Sequence, residues 1–144
     1  MKCRGFSLME LSVSIALMAI FAWMMVNGAQ QAKKNAAIAK TRTMMANLET
    51  AIRIYEIDMG ITPGSDNRTM VEALTVNPSD SDWKGPYIKI KQKGLNENRE
   101  YVDAWGNAFI YINPGQNNAD SYDLYSKGPD GKGDGNDKNE LRNW

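Results

Sequence analysis

The chain has 144 residues, with 17 lysines and arginines balanced by 17 aspartates and glutamates, no histidine and a single cysteine, Cys3. This neutral charge gives no general attraction for nucleic acid, and we expect no nucleic-acid partner. The lack of histidine excludes zinc sites of the usual kind and catalysis by an imidazole.

The first predicted element is an apolar helix over residues 6–26, in which Glu10 is the one charged side chain. At a rise of ~1.5 Å per residue the segment spans ~31 Å, about the hydrocarbon thickness of a bilayer. Lys2 and Arg4 precede it, which places this end in the cytoplasm. A carboxylate is costly to bury in lipid, so Glu10 is a candidate functional residue.

Three interpretations of this segment compete. A secretory signal peptide usually has an apolar run of only ~7–15 residues, and it has no use for Glu10. An ordinary membrane anchor has the right length but also gives Glu10 no role. A prepilin-type leader explains every part: residues 1–5 form a basic leader that ends in Gly5, cleavage precedes Phe6, and Glu10 becomes the fifth residue of the mature chain. We favour the third interpretation, because the stretch Gly-Phe-Ser-Leu-x-Glu-Leu at residues 5–11 resembles the processing site of type IV pilins and type II secretion pseudopilins.

Beyond the apolar run the helical pattern continues to Met59, and Gly60 ends it. We expect a bend or a locally melted turn at Asn27-Gly28, since both residues are poor helix formers. One apolar face of the helix is predicted to lie against the core of a small domain. Its members are Ile38, Met45, Leu48, Ile52, Tyr55 and Met59.

The remaining elements are short. Residues 69–74 predict a helix, with Asn67 or Thr69 near its N-cap. Apolar alternation or aromatic and β-branched content predicts strands at residues 87–91, 109–112 and 122–126. Local turns separate these strands, so an antiparallel sheet packed on the helix is expected.

Residues 126–144 are acidic and rich in glycine. They are either a disordered polar tail or a loop whose oxygens surround a Ca²⁺ ion, which takes about six to eight ligands. An EF-hand does not fit, because a loop that starts at Asp130 has Lys132 at its third position and Leu141 at its twelfth. A metal is attractive because the mature chain would contain no cysteine, and small extracytoplasmic domains usually need a disulfide or a metal.

Further segments of the chain resemble the major pseudopilins of type II secretion systems. They are Tyr55-x-x-Asp58-x-Gly60-x-x-Pro63, Trp83-Lys84-Gly85-Pro86-Tyr87-Ile88-Lys89, Asp103-Ala104-Trp105-Gly106-Asn107, Tyr122-Asp123-Leu124-Tyr125-Ser126-x-Gly128-x-Asp130-Gly131 and Asn143-Trp144. The resemblance implies an α+β fold: a long N-terminal helix and a small head with a short three-stranded antiparallel sheet and a C-terminal metal-binding loop. The implied organisation is a leader at 1–5, a transmembrane and filament-core helix at 6–29, and a periplasmic head at 30–144.

The resemblance also implies site residues. Phe6 is N-methylated after cleavage, and Glu10 neutralises the terminal amine of a neighbouring subunit in the filament. A Ca²⁺ ion is bound by the side chains of Asp130 and Asp137 and by three backbone carbonyls. Those carbonyls belong to Lys127, Lys132 and Gly135, with Asp134 as an extra acid inside the loop. Lys138 stands where some members of the family have a second aspartate, so the ligands after Asp137 stay open.

The function implied is that of a structural subunit, not an enzyme. The chain forms a homopolymer, the pseudopilus, which drives export of folded proteins across the outer membrane. Its expected partners are the prepilin peptidase, minor pseudopilins and an inner-membrane assembly platform. Its expected location is the bacterial inner membrane, crossed once, with the head in the periplasm.

Two other functions compete with this one. A type IV pilin for adhesion, motility or DNA uptake usually closes its C-terminal region with a disulfide, which this mature chain could not form. A membrane-anchored or secreted hydrolase would need a nucleophile and a base, and the sequence offers no convincing pair.

Overall fold

The computed structural model describes residues 7–133 and 141–144, with the backbone alone at residues 25–28. The chain forms two units, Met1–Ala36 and Ala37–Trp144. The described residues form one long and one short α-helix, two short 3-10 helices and a three-stranded antiparallel sheet, which confirms the predicted α+β class. The predicted boundary between residues 29 and 30 is the edge of a membrane and stays a prediction.

Helix α1 comprises Leu8–Met59. It is continuous through Asn27 and Gly28, so the prediction of a locally melted turn there is wrong. Good helix formers on both sides outweigh the low propensity of these two residues. The helix ends at Gly60, which has a φ of +70° and donates its N–H to the Glu56 carbonyl at 2.9 Å. Glycine adopts this left-handed conformation without a steric penalty.

The second half of α1 provides one wall of the hydrophobic core. Of the predicted face, Met45, Leu48, Ile52 and Tyr55 are buried, whereas the two outermost members are only half-buried. The predicted face is therefore buried at its centre and only half-buried at its ends. The rest of the core comes from the short helix and the sheet region: Ala51, Met70, Val71, Leu74, Phe109, Tyr111, Tyr122 and Leu124.

Helix α2 comprises Asn67–Thr75, slightly longer than predicted. Its N-cap is Asp66 rather than Asn67 or Thr69: Asp66 Oδ1 accepts the Thr69 N–H at 3.0 Å, and the Thr69 hydroxyl oxygen accepts the Asp66 N–H at 3.1 Å. The Asn67 side chain is used elsewhere, since its Nδ2 donates to the Phe109 carbonyl at 2.6 Å and to the Tyr101 carbonyl at 2.9 Å. The Asn67 amide therefore links distant backbone segments and does not cap the helix.

The sheet has the order β1-β2-β3, with β1 at Ile110–Ile112, β2 at Asp123–Ser126 and β3 at Leu141–Arg142. Tyr111 pairs with Leu124, and Ser126 pairs with Leu141, both antiparallel. The predicted strands at 109–112 and 122–126 are thus confirmed. The third predicted strand, at residues 87–91, is wrong, because the third strand of the sheet is Leu141–Arg142.

Residues 87–91 do not form a strand. The predicted alternation is present, because Ile88 and Ile90 are half-buried against the core while Lys89 and Lys91 are exposed. The segment begins with the Tyr87 N–H bonded to the Leu74 carbonyl of α2 at 2.9 Å, and it runs over the core without joining the sheet. Alternation reports one-sided burial, whereas a strand also needs a neighbour with which to form hydrogen bonds.

Candidate assembly helix and candidate metal loop

Glu10 lies in the first turn of α1, and its side chain is exposed. The helix begins after Ser7, whose carbonyl accepts the N–H groups of Glu10 at 3.0 Å and Leu11 at 3.1 Å. No ion pair joins the Glu10 carboxylate to any other residue in the described part of the chain. The predicted processing residues, Gly5 and Phe6, lie outside the described residues.

The first turns of α1 expose nearly all of their large apolar side chains. Leu8 is 87% exposed and Phe21 is 60% exposed, values typical of solvent-facing polar residues. The same holds for Met9, Leu11, Val13, Ile15, Leu17, Met18, Ile20, Trp23 and Met24. An exposed apolar surface of this size indicates contact with lipid or with other protein chains.

The few polar side chains in this segment are satisfied within the helix. The Ser12 hydroxyl donates to the Met9 carbonyl at 2.9 Å, and the Ser14 hydroxyl donates to the Glu10 carbonyl at 2.8 Å. Such internal hydrogen bonds lower the cost of placing serine in hydrocarbon. Among the described residues, α1 is the one helix long and apolar enough to cross a membrane. These features favour membrane anchoring through the first half of α1.

The candidate metal loop follows β2. Lys127 precedes a 3-10 helix at Gly128–Asp130, and Gly131 follows it with a φ of +66°. The chain then curls back, and the Lys132 N–H donates to Asp130 Oδ1 at 3.3 Å. The structure therefore places three predicted ligands, Lys127, Asp130 and Lys132, in one turn.

The other predicted ligands, Asp134, Gly135 and Asp137, lie outside the described residues. Within residues 7–133 and 141–144, no three acidic or cysteine side chains lie close enough to hold a metal ion. A site built on this loop thus depends on residues 134–140. The two ends of the loop are joined, because Ser126 before it pairs with Leu141 after it in the β2–β3 ladder.

The turn at residues 103–107 contacts the start of this loop. The buried Asp103 accepts the Ser126 hydroxyl proton on Oδ2 at 2.6 Å. Asn107 donates its Nδ2 to the Gly128 carbonyl at 2.7 Å. The sequence assigned these residues no role, although the Asp-x-x-Gly-Asn pattern is a recognisable turn signal.

Asp123 is a second buried carboxylate in the sheet region, 1% exposed. It accepts four hydrogen bonds at 2.8–3.1 Å, from the backbone N–H groups of Gln116, Asn117 and Asn118 and from Asn117 Nδ2. Burial alone would raise the pKa of Asp123, but these hydrogen bonds outweigh it and hold the pKa below its ordinary value. Asp123 therefore fixes the loop between β1 and β2 and is not free to bind a ligand.

A long helix whose apolar first turns are exposed and carry a single glutamate is the arrangement that the resemblance to pilin-like proteins implies. In agreement, residues 1–26 match the family described as "Prokaryotic N-terminal methylation motif". Residues 28–144 match the family described as "Type II secretion system (T2SS), protein G". The chain belongs to the type II secretion system protein G family.

Two individual relatives agree with this assignment by sequence. The type II secretion system core protein G of Escherichia coli strain K12 is 33% identical, over 99% of this chain and 92% of the relative. The protein of the same name from Pseudomonas aeruginosa is 28% identical, over 97% of this chain and 94% of the relative. The crystal structure of the major pseudopilin from the type 2 secretion system of enterohaemorrhagic E. coli matches with a TM-score of 0.49 and 25% identity, covering 80% of this chain and 92% of that one. The sequence matches favour the secretion family over the type IV pilins.

Proposed function

We propose that this chain is a major pseudopilin, the structural subunit that polymerises through α1 into the pseudopilus of a type II secretion system. In this role it helps to drive export of folded proteins across the outer membrane. The observation that carries the proposal is the family match over residues 28–144, together with the N-terminal methylation motif. The role is structural, and we assign the chain no catalytic group.

Assembly rests on Glu10 and on the apolar surface of α1. We expect the prepilin peptidase to cut between Gly5 and Phe6 and the new amine of Phe6 to be methylated. In an apolar bundle of helices, an unpaired carboxylate and an unpaired ammonium are both costly. Pairing Glu10 of one subunit with the terminal amine of its neighbour removes both costs and fixes the axial register. A head-to-tail contact that does not close produces a filament.

Topology follows from the same segment. A single crossing of the inner membrane, with Lys2 and Arg4 on the cytoplasmic side, places the head in the periplasm. There it would meet minor pseudopilins and the inner-membrane assembly platform, the partners expected of a pseudopilin.

The assembly proposal is tested with Glu10→Ala in cells that secrete through this system. Mass spectrometry of the membrane-bound protein should show a methylated N-terminus at Phe6 in both the wild type and the variant. The variant should fail to form pseudopili and to support secretion. Ser12→Ala is a matched control, because it removes a polar group two residues away that bonds only within its own helix. An intact Met1 in the wild type, or normal filaments from Glu10→Ala, would contradict the proposal.

We also propose that the loop after β2 binds Ca²⁺. The donor set suits a hard cation: the loop offers carboxylate and backbone oxygens, and the chain has no histidine. Lys127, Asp130 and Lys132 already lie in one turn, and the ends of the loop are joined by β2 and β3. Asp130 and Asp137 would bind the ion with their side chains, and Lys127, Lys132 and Gly135 with their carbonyls. Asp134 adds a further acid. The bound ion would neutralise these carboxylates and hold the loop in one shape.

The calcium proposal is tested on the full-length chain in detergent, by thermal unfolding with and without Ca²⁺. A ligand at about 100 times its Kd stabilises the folded state by about 2.7 kcal/mol, which is easily measured. Asp130→Asn should lose this gain, whereas Asp120→Asn, an exposed aspartate outside the loop, should keep it. Mg²⁺ at the same concentration should have a smaller effect, since it gives up its bound waters reluctantly. An unchanged melting temperature of the wild type in Ca²⁺ would remove the proposal.

A further inference from the structure

A small cavity lies between helix α2 and the hairpin at residues 95–101, apart from Glu10 and from the candidate metal loop. The hairpin is closed by an antiparallel bridge between Leu95 and Tyr101. The cavity has a volume of about 110 Å³, an apolar floor and a charged rim. The floor is formed by the buried Val71 and the half-buried Ile90 and Leu95, and the rim by the exposed Arg68, Glu72 and Arg99.

The hairpin wall of the cavity is held in one conformation by Asn96. Its N–H donates to the Glu100 carbonyl at 3.0 Å, and its Oδ1 accepts the N–H groups of Asn98 at 3.0 Å and Glu100 at 2.9 Å. Within this turn Arg99 has a φ of +65°, a left-handed conformation that is unfavourable for a residue with a Cβ. Glycine would adopt it at lower cost. An arginine kept in this conformation at the rim of a cavity indicates a function for its side chain.

The two walls are fixed to each other by Asn67, the first residue of α2. Its Oδ1 accepts the Tyr101 N–H at 2.8 Å, and its Nδ2 donates to the Tyr101 carbonyl at 2.9 Å. Asn67 is 4% exposed, so these bonds are shielded from water. Arg68 follows Asn67 directly and Arg99 lies two residues before Tyr101, so both arginines stand beside the same crosslink. The cavity is therefore formed before a ligand binds, which lowers the entropic cost of binding.

Neither arginine side chain has a partner within the part of the chain that the structure describes. No ion pair or hydrogen bond joins the guanidinium of Arg68 or Arg99 to another described residue. The acid next to Arg99 is used elsewhere, because Glu100 Oε2 accepts a proton from Asn96 Nδ2 at 2.6 Å. A guanidinium binds a carboxylate through two parallel hydrogen bonds. The two arginines are thus available for an anion from another molecule.

The lining of the cavity indicates which anion fits. Two arginines and Glu72 give the rim a net charge of +1, which matches one carboxylate better than a doubly charged phosphate. The apolar floor suits an aliphatic group attached to that carboxylate. Glu72 adds an acceptor for an N–H group, which the last residue of a polypeptide has and a simple aliphatic acid lacks. The volume is well below the ~300–1,000 Å³ of sites that enclose whole small ligands, so the end of a larger molecule fits better.

We propose that this cavity binds the carboxyl terminus of another polypeptide whose last residue is aliphatic. The terminal carboxylate pairs with Arg68 and Arg99, the aliphatic side chain enters the apolar floor, and the N–H of the last residue donates to Glu72. Capture of a terminal carboxylate is one of the recurring modes of peptide recognition. The proposal does not depend on filament assembly or on calcium, because it uses none of the residues assigned to them.

The test titrates the full-length chain in detergent with the peptide acetyl-Ala-Val and follows the amide NMR signals of Val71 and Leu95. Arg68→Gln and Arg99→Gln should each weaken binding by about 10-fold or more, because each removes a charge-assisted contact. Arg53→Gln is the matched control, since Arg53 is an exposed arginine of α1 outside the cavity. It should bind within about twofold of the wild type.

A second variant separates recognition from stability. Arg99→Gly removes the guanidinium but suits the left-handed conformation, so it should lose binding without a lower melting temperature. If Arg99→Gly binds as the wild type does, the proposal is wrong. The same holds if Arg53→Gln weakens binding as much as the two cavity variants do, since the effect is then one of general surface charge.

Three further ligands test each part of the recognition. The amide of acetyl-Ala-Val lacks the carboxylate, acetyl-Ala-Gly lacks the aliphatic side chain, and isovalerate lacks the N–H group. Each should bind more weakly than acetyl-Ala-Val, the first two by about 10-fold or more. Equal binding of isovalerate would assign the cavity to free aliphatic acids and overturn the polypeptide ligand. Equal binding of the amide, or no binding of acetyl-Ala-Val at millimolar concentration, would overturn the whole proposal.

Discussion

The two units of the chain treat apolar side chains in opposite ways. In the first, the large apolar residues of α1 from Leu8 to Met24 are mostly more than half exposed. In the second, Leu48, Ile52 and Leu124 are completely buried. Both sets include residues of the same continuous helix, so helix formation alone does not decide burial. The second unit carries its own core, whereas the first needs lipid or other subunits to cover it.

The largest expected effect comes from comparing two leucines of α1, one in each unit. Leu48→Ala removes a fully buried side chain and should lower the free energy of unfolding by about 3–4 kcal/mol. Leu17→Ala removes a side chain that is 51% exposed and should change the free energy of unfolding by less than about 1 kcal/mol. Denaturant unfolding of both variants in detergent, followed by tryptophan fluorescence, measures the difference. Equal losses would mean that the first half of α1 also packs against a core.

The second test compares the carboxylates of Asp123 and Glu10. Asp123→Asn places an NH₂ group against backbone N–H donors and should cost about 2–3 kcal/mol of stability. Glu10→Gln should leave head unfolding unchanged, because Glu10 is exposed and is not a member of the head's core. It should impair assembly, because the proposed pairing with a neighbour's terminal amine loses its charge. Unfolding assays should therefore show a loss in Asp123→Asn alone, and filament assays should show a defect in Glu10→Gln. A loss of stability in Glu10→Gln would contradict this prediction.

Asp123 also makes the head sensitive to acid. Its pKa is lower in the folded state, so its contribution is complete above the unfolded value of about 3.9 and is lost as pH falls through the folded value. Wild-type stability should thus fall below about pH 4 more steeply than that of Asp123→Asn. If the stability of the two proteins falls equally with pH, a group other than Asp123 is responsible for the loss in acid.

How much the sequence predicted depends on how local each signal is. The core face of α1 was predicted because Leu48, Ile52 and Tyr55 lie three or four residues apart on one helix. Glu10 was found because one charge in an apolar run stands out by itself. The strand at 87–91 was wrong because alternation does not reveal a hydrogen-bonding partner, and β3 was missed because Leu141–Arg142 is too short to show a pattern.

The candidate metal loop shows the same limit. Its acids and glycines are neighbours in sequence, so the loop was recognised. Its supports were not, because the contact from Asn107 to Gly128 joins residues 21 positions apart and Asp103 reaches Ser126 across 23. Contacts of this kind arise only when the sheet brings the two segments together.

A smaller test concerns the cap of α2. Asp66→Ala removes the acceptor of the Thr69 N–H and should cost about 1 kcal/mol of stability. Asp66→Ser should recover most of this loss, because serine is also a good N-cap. Thermal unfolding of the two variants is sufficient, and a loss in Asp66→Ser as large as that in Asp66→Ala would assign the effect to the aspartate charge instead of the cap.

The smallest expected effect belongs to the surface of the head. Lys84 Nζ lies 3.2 Å from Asp58 Oδ1, but the lysine side chain is 72% exposed. Solvent screening and the entropy of holding a long side chain leave such a pair with less than about 0.5 kcal/mol. Lys84→Ala should therefore unfold almost as the wild type does, at low salt and at high salt alike. A salt-dependent loss above about 1 kcal/mol would mean that surface charge, and not only the buried core and the Asp123 bonds, holds the end of α1 to the rest of its unit.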